Sequence, residues 1–375
     1  MNFGFNEEQK SLGETIGALL GDFAALTAPD PAEASDPAVW TGLAELGLFS
    51  LLVPEADGGV GLSWVDVALG IEALGSALAP PIVASTLIAT DVIARFGTPT
   101  LKARLLPRLA AGEVKIAIAT LEADQGYAPE QVQTLLGGRV TGAKIVVADA
   151  RDADFFLVLV RCDGQPALAL VQHDPRFITL RGHDDVDASS GLCELVFEDA
   201  SVADDALISH QSPEASVARL FDVAATVYAG MEIGIAVRML DTAVEYAKTR
   251  VQFGQAIGAF QSIKHRCADM AVAVEAGRSA AYYAFWAVSE DAHDRARASS
   301  MAKAYCGEVA RDACNEAIQI HGGMGFTWEL GLHRFLRRVK VLEHGFGNHV
   351  WHYEQVMAAT LAEAASLGDV QRDAA

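Results

Sequence analysis

Two helical stretches of this chain are joined by residues 250–261, which read RVQFGQAIGAFQ. In residues 236–247, just before the junction, apolar residues recur at i, i+3, i+4 and i+7, the spacing of an amphipathic helix. Gly254 and Gly258 break this period before a new helix begins. Long alanine-rich helices joined by few turns predict a helical bundle in this part of the chain.

The junction also carries side chains suited to an anionic ligand. Arg250 offers a planar fork of donors, Gln261 offers an amide, and Phe253 and Phe260 supply apolar walls. The same residues would suit a simple helix–helix connection with a solvated arginine. Taken alone, the junction leaves both interpretations open.

A second glycine-rich segment follows another helical stretch. It reads QIHGGMGFT over residues 319–327. Glycine lets a backbone approach a ligand closely, and exposed N–H groups can cradle a phosphate. The pair Gly322 and Gly323 is equally the ordinary end of a helix, and a histidine such as His321 is more often structural than catalytic.

The middle of the chain has a different period. Between residues 114 and 212, short runs rich in Val, Ile and Phe are separated by Gly, Asp and Pro. Closely spaced strands without intervening helices predict an antiparallel barrel or sandwich. Because the flanking residues are helical in pattern, we predict an α+β fold in three parts: an N-terminal α-helical domain (1–113), a middle antiparallel β domain (114–212) and a C-terminal helical-bundle domain (213–375).

The composition narrows the class of protein. The 375 residues carry 28 Lys and Arg against 49 Asp and Glu, and this net charge of −21 argues against a nucleic-acid partner. Apolar runs such as residues 155–160 are far shorter than the about 20 residues that span a bilayer, so we expect no membrane insertion. Five cysteines form no CxxC pair, and the N-terminus lacks a basic and apolar leader. We therefore expect a cytoplasmic protein with reduced thiols and no metal site.

The two glycine-containing segments, in this order, resemble the acyl-CoA dehydrogenase family. The pattern is Arg-x-Gln-Phe-Gly-x-x-Ile-x-x-Phe-Gln from Arg250, followed by Gln-x-x-Gly-Gly-x-Gly from Gln319. Residues 46–63 look like the first helical domain of that family, and residues 153–158 and 197–208 look like its middle β domain. The resemblance covers nearly the whole chain, and it implies that the C-terminal domain is a four-helix bundle.

The resemblance also implies a chemistry. Members of the family oxidise an acyl-CoA thioester: a base removes the α-proton while the β-hydrogen leaves as hydride to FAD. In the family each FAD lies between two subunits, so this chain would reach into a neighbour's site. Its contacts with that FAD would be Arg250, Phe253, Gln261, Gln319, Gly322 and Gly323.

The half of the site that would hold the chain's own flavin departs from the family pattern. Thr-Glu-Pro followed by Gly-Ser-Asp aligns with residues 121–123 and 126–128, which keep Glu122 but lose the Thr, the Ser and the Asp. Trp-Ile-Thr or Trp-Ile-Ser, which contacts the flavin in the family, aligns with residues 146–148, Val-Val-Ala. Three apolar side chains offer a flavin no hydrogen-bond donor.

The catalytic base is also missing. The position of the catalytic glutamate in the medium-chain and short-chain branches aligns with Phe346, and the position used by the long-chain and isovaleryl branches aligns with Ala224. Neither side chain can take a proton. Glu343, three residues before Phe346, is the remaining candidate for a relocated base.

These losses are uneven. The segments that would form the chain's own flavin site have lost motif residues of the family, whereas the segments that would reach a neighbour's site keep theirs. We therefore predict the accessory subunit of a heteromeric acyl-CoA dehydrogenase, similar to the non-catalytic type in bacterial enzymes that act on steroid side chains. A homologous partner subunit would hold FAD and the acyl-CoA substrate. Two alternatives stay open: a self-sufficient homotetrameric dehydrogenase that uses Glu343, and a flavin-free structural or acyl-CoA-binding relative.

A cationic cluster near the C-terminus has two interpretations. Arg334, Arg337, Arg338 and Lys340 could attract the phosphates of CoA. Their spacing on a predicted helix instead favours a solvated or subunit-facing stripe.

Overall fold

In the described residues before 113 the chain forms five α-helices. The computed structural model describes residues 4–23, 37–123, 125–208 and 212–373. The first helix begins with a capping box, in which Asn6 Oδ1 accepts from the Gln9 N–H and the Gln9 side chain accepts from the Asn6 N–H. Three later helices in this region begin with proline, whose missing N–H costs no hydrogen bond there. The helices are α1 (Glu7–Gly21), α2 (Pro37–Glu45), α3 (Trp64–Ser76), α4 (Pro81–Phe96) and α5 (Pro99–Ala110).

The middle of the chain folds into a seven-stranded sheet. Its strands are β1 (Ile116–Ala119), β2 (Leu135–Leu136), β3 (Arg139–Val147), β4 (Phe155–Cys162), β5 (Gln165–Gln172), β6 (Ile178–Gly182) and β7 (Cys193–Ser201). Their order is β1-β4-β2-β3-β7-β6, and β5 also pairs with β4.

The sheet is mixed, which corrects the prediction of an antiparallel domain. β1 runs parallel to β4, with Ile116 opposite Phe155, and β2 also pairs with β4 in parallel. The other pairings in this sheet are antiparallel. The residues between β1 and β4 form β2 and β3, and a connection of this length permits a parallel pairing that a tight hairpin cannot make.

Four long helices and one shorter helix make up the described part of the C-terminal region. The central helix, α8 (Arg295–His321), contacts α6 (Pro213–Thr249), α7 (Gln261–Ser289), α9 (Leu332–His344) and α10 (His349–Asp373). A short hairpin, β8 (Val251–Gln252) and β9 (Gln255–Ala256), stands between α6 and α7. By length and composition α6 could cross a membrane, but 83% of its most apolar window is buried inside the protein. Packing in the core therefore explains its hydrophobicity.

The N-terminal helices join the bundle where α3 crosses α6. Gly75 lies against the backbone of Met231, and Gly234 lies against the carbonyl of Glu72. Neither position has room for a Cβ. The absence of a side chain on both helices is what permits this close approach.

Two buried arginines tie the three parts of the chain together. Arg219 of α6 donates twice to Asp91 of α4, at 2.8 Å each. Arg338 of α9 donates to Asp187 Oδ2 at 2.6 Å and to the Ala79 carbonyl at 2.8 Å. Because Arg338 is only 1% exposed, the interpretation of its cluster as a solvated or subunit-facing stripe was wrong at this position. Helical spacing did not reveal that a carboxylate and a carbonyl from two other parts of the chain converge on this side chain.

Candidate functional site

A cleft lies between the sheet and the C-terminal helices. Its walls come from the segment after β1, the end of β3, α6 and the turn after α9. The lining residues include Glu122, Tyr127, Val146, Phe221, Tyr228 and Phe346. The cleft therefore collects the positions that aligned with the chain's own flavin site and with one of the two base positions.

Glu122 is held in the cleft as an ion. Its two oxygens accept from Lys144 Nζ at 2.7 Å, from the Thr134 hydroxyl at 2.6 Å and from the N–H groups of Gln133 and Thr134. Burial raises the pKa of Glu122, but these donors outweigh burial and leave the pKa below its ordinary value. Burial lowers the pKa of Lys144 to about 8, against the pull of Glu122. A carboxylate engaged on both oxygens anchors the loop and is not free to act as a base.

The end of β3 forms a strained bulge at the cleft. Val146 has a φ of +58°, and the register of β3 against β7 shifts between Lys144 and Val147. Positive φ is a genuine outlier for a β-branched residue. The Val146 side chain is 43% exposed, and neither it nor Ala148 offers a polar side-chain atom. This wall therefore does not fit the polar edge of a flavin.

The two positions predicted for a catalytic base are an aromatic ring and a buried methyl group. Phe346 lines the cleft, and its ring packs edge-on against Tyr228 and Phe221, with centroids 5.1 and 6.1 Å away. Ala224 lies inside α6 and is 0% exposed. Neither position can accept a proton from a ligand in the cleft.

Glu343, the candidate for a relocated base, does not line the cleft. It is 4% exposed and accepts from Arg311 at 2.6 Å and from Lys340 at 3.0 Å. Burial raises the pKa of Glu343, but the two cations outweigh burial and hold the pKa below its ordinary value. A carboxylate with two cationic partners and a low pKa is poorly suited to general-base work.

Arg250, Phe253 and Gln261 lie on the β8–β9 hairpin and its two flanking helices. Arg250 directly follows α6, and its guanidinium has no hydrogen-bond or ion-pair partner in the described part of the chain. Phe253 and Gly254 turn the hairpin with φ values of +51° and +82°, the two positive values that a type I′ turn requires. The turn leaves the Phe253 ring 91% exposed. Gln261 is exposed in the first turn of α7.

Gln319, Gly322 and Gly323 lie where α8 ends. Gln319 is exposed on the last turn, and a Cβ added to either glycine would meet open space. Further along, Phe326 is 76% exposed and Trp328 is 55% exposed. Bare backbone beside exposed aromatic rings leaves this segment accessible to a ligand or to another chain.

A ring stack brings these two exposed segments to one end of the bundle. The rings of Tyr246 and His321 lie with centroids 4.1 Å apart and 23° between their planes. Tyr246 is one turn before Arg250, and His321 directly precedes Gly322. His321 is buried, as a structural histidine should be. We call residues 250–261 and 319–330 the exposed tip; it carries all six predicted FAD contacts, Arg250, Phe253, Gln261, Gln319, Gly322 and Gly323.

Sequence reasoning did not single out three of the aromatic residues of the cleft, Tyr127, Phe221 and Tyr228. Tyr127 stands where the family has a serine, and its ring lies 6.1 Å from that of Trp351. Tyr228 is one helical turn beyond Ala224. Replacement of a small polar residue by a large ring in a ligand-contacting loop is the signal that could have drawn attention to Tyr127.

Two family models match the chain. The model described as "Acyl-CoA dehydrogenase, N-terminal domain" matches residues 6–113, and "Acyl-CoA dehydrogenase, C-terminal domain" matches residues 215–361. The acyl-CoA dehydrogenase IpdE2 of Mycobacterium tuberculosis is 32% identical over 88% of this chain and 91% of its own length. The acyl-CoA dehydrogenase FadE34 of the same organism is 35% identical over 82% of this chain, and the chain spans 39% of FadE34.

A solved structure matches over nearly the whole length of both chains. It is that of a variant of the Tcur3481-Tcur3483 steroid acyl-CoA dehydrogenase, with a TM-score of 0.85 and 26% identity, covering 96% of this chain and 99% of that one.

Proposed function

The chain belongs to the acyl-CoA dehydrogenase family, and on that premise we propose that it is the accessory subunit of a heteromeric acyl-CoA dehydrogenase. The family is one of FAD-dependent oxidoreductases. FAD, when bound, takes up the hydride that leaves the β-carbon of the acyl thioester. In this proposal a homologous partner holds the flavin, the substrate and the base, and this chain completes the flavin site from outside.

The proposal rests on one contrast. The chain's own cleft has Phe346 at a predicted base position and Val146 where a flavin needs a polar neighbour, whereas the exposed tip keeps its six predicted FAD contacts at the surface. A homo-oligomer of this chain would repeat the same deficient cleft in every subunit. A heteromer pairs the intact tip of this chain with a complete cleft in its partner.

The tip is suited to the anionic end of FAD. Arg250 presents a guanidinium without a partner in the described structure, which can bind a diphosphate through two N–H groups. Gly322 and Gly323 leave their backbone open to the same group. Phe253, almost fully exposed, can cover an apolar face of the cofactor. The net charge of −21 does not oppose this, because binding depends on groups at contact distance.

Similarity to the Tcur3481-Tcur3483 enzyme favours a heteromer, because the name of that enzyme joins two chains.

Flavin content tests the proposal. We expect the chain purified alone to carry little FAD, and its co-expression with an intact relative to yield a complex with FAD. Arg250→Ala should lower the FAD retained by the complex about 10-fold or more, as loss of a charge-assisted pair of hydrogen bonds would. Arg238→Ala, which removes another exposed arginine of α6, is the matched control. Stoichiometric FAD and turnover from the lone chain would overturn the proposal. An Arg250→Ala complex that keeps its FAD would favour a flavin-free structural role.

Glu343→Gln separates the proposal from a self-sufficient enzyme with a relocated base. Under the proposal the complex keeps its turnover, provided that its melting temperature shows a folded variant. In a homotetramer that uses Glu343 as base, the same substitution abolishes turnover.

A further inference from the structure

Three aromatic rings meet on the helical wall of the cleft. Phe346 stands edge-on to Tyr228 and to Phe221, with interplanar angles of 85° and 88°. Tyr228 and Phe221 both belong to α6. Edge-to-face packing of this kind is favourable beyond the area that it buries. The rings therefore form one rigid group, which we call the aromatic triad.

The backbone holds the ring of Phe346 in this place. Phe346 has a φ of +58°, a conformation that costs a non-glycine residue energy unless its surroundings impose it. Gly345, before it, lies so close to the Tyr228 ring that a Cβ would not fit. Gly347, after it, has a φ of +120°, and a Cβ there would come within 2.5 Å of Trp351 and 2.7 Å of His352. Close packing on both sides prevents the turn from relaxing and carrying the ring out of the cleft.

Two residues on the opposite side of the cleft, Val146 and Glu122, offer an acyl thioester no free hydrogen-bond donor. Val146 is apolar and also strained. Glu122 is fully engaged by Lys144 and Thr134. Neither residue has a free donor for a thioester carbonyl, which needs donors at the carbonyl oxygen to be bound and polarised.

We propose that the aromatic triad, through Phe346, closes this cleft to acyl thioesters, so that Phe346 determines which of the two chains binds substrate. This inference rests on the proposed function, because it concerns the half-site that the accessory chain leaves unused. It adds that the ring of Phe346 by itself keeps an acyl thioester out of the unused cleft.

Titration of the full-length chain with octanoyl-CoA tests the inference. We expect no measurable binding to the unsubstituted chain and binding of one octanoyl-CoA per chain to Phe346→Gly. Glycine adopts positive φ without strain, so this substitution suits the backbone. Phe346→Leu is the matched control, because leucine keeps a bulky apolar group and should leave the cleft closed. Phe346→Ala replaces the glycine variant if the latter does not give a cooperative thermal transition.

Two results would overturn the inference. One is binding of octanoyl-CoA to the unsubstituted chain within about threefold of the affinity of Phe346→Gly, a difference of about 0.7 kcal/mol or less. The other is the absence of binding to a folded glycine or alanine variant. Flavin content, measured on the same samples, keeps this test distinct from that of the proposed function: FAD bound to the lone chain overturns the accessory role whatever the titration shows.

Discussion

Lys303 Nζ lies 2.8 Å from Glu232 Oε1, and the two residues are 2% and 0% exposed. They join α8 to α6 at the centre of the helical bundle. Glu232 Oε2 has no hydrogen-bond partner in the part of the chain that the structure describes. Burial raises the pKa of Glu232 to about 7, against the pull of Lys303. Each charge is therefore compensated almost entirely by the other.

Removing one member of this pair should destabilise the fold. Lys303→Met leaves a carboxylate buried without a cation, and we expect the free energy of unfolding to fall by about 3–5 kcal/mol. The double variant Lys303→Met with Glu232→Leu removes both charges and should recover most of that loss. Urea denaturation of the three proteins measures the difference. A loss below about 1 kcal/mol in the single variant would contradict the prediction.

Arg338 should matter far more than its neighbour Arg337. Arg338 is 1% exposed and bonded to Asp187 and Ala79, so Arg338→Met leaves Asp187 buried without its cation. We expect a loss of about 3–5 kcal/mol. Arg337 lies over the Trp328 ring at 5.1 Å, and Arg337→Met should cost about 1 kcal/mol or less. Equal thermal shifts in the two variants would contradict a specific role for the buried arginine.

His352 should make the fold sensitive to acid. Burial, and then Lys303, lowers the pKa of His352 from 6.5 to about 3. Because the folded pKa is depressed, the unfolded chain binds more protons between pH 6.5 and 3, and stability falls as the pH drops through that window. His352→Leu removes this titration. Its stability should fall less steeply between pH 6.5 and 4.5.

The crossing of α3 and α6 should not tolerate a methyl group. Gly234→Ala places a Cβ against the Glu72 carbonyl, so the helices must move apart, at a cost of about 1–3 kcal/mol or more. Gly21→Ala, at the end of α1, meets no atom within 4 Å, and alanine there should be neutral or stabilising. Thermal melting of both variants decides the matter, and an unchanged melting temperature for Gly234→Ala would be inconsistent with this contact.

Periodicity was sufficient to predict the α, β, α order, because a change from period 3.6 to period 2 is a local property of the chain. It was not sufficient to predict that β1 pairs in parallel with β4, since that pairing depends on where β2 and β3 lie between them. The boundaries at residues 113 and 212 stay predictions. The burial of Arg338 could not be predicted from the sequence either, because its partners Asp187 and Ala79 are distant in sequence.

Some features of the candidate site could likewise be predicted from the sequence, and others depend on the fold. The alignment of Phe346 with a glutamate position is a prediction from the motif, as are the roles of Arg250 and the glycines of the tip. The three-ring packing around Phe346 is not visible, because Phe221 and Tyr228 carry no signature apart from the fold. The ring stack of Tyr246 on His321, which gathers the six predicted contacts at one end, likewise requires the helices to be in place.

Phe253 is a surface residue at which we expect substitutions to be poorly tolerated, which is the reverse of the usual pattern. In most enzymes surface residues vary freely and pocket residues do not. Under the proposed function the exposed hairpin contributes to the flavin site of the partner, so a substitution there lowers the activity of the partner, whereas most substitutions in the chain's own cleft, Phe346 apart, affect only folding. Under the same proposal, variants near the hairpin should change the flavin content and activity of the partner more than variants far from it.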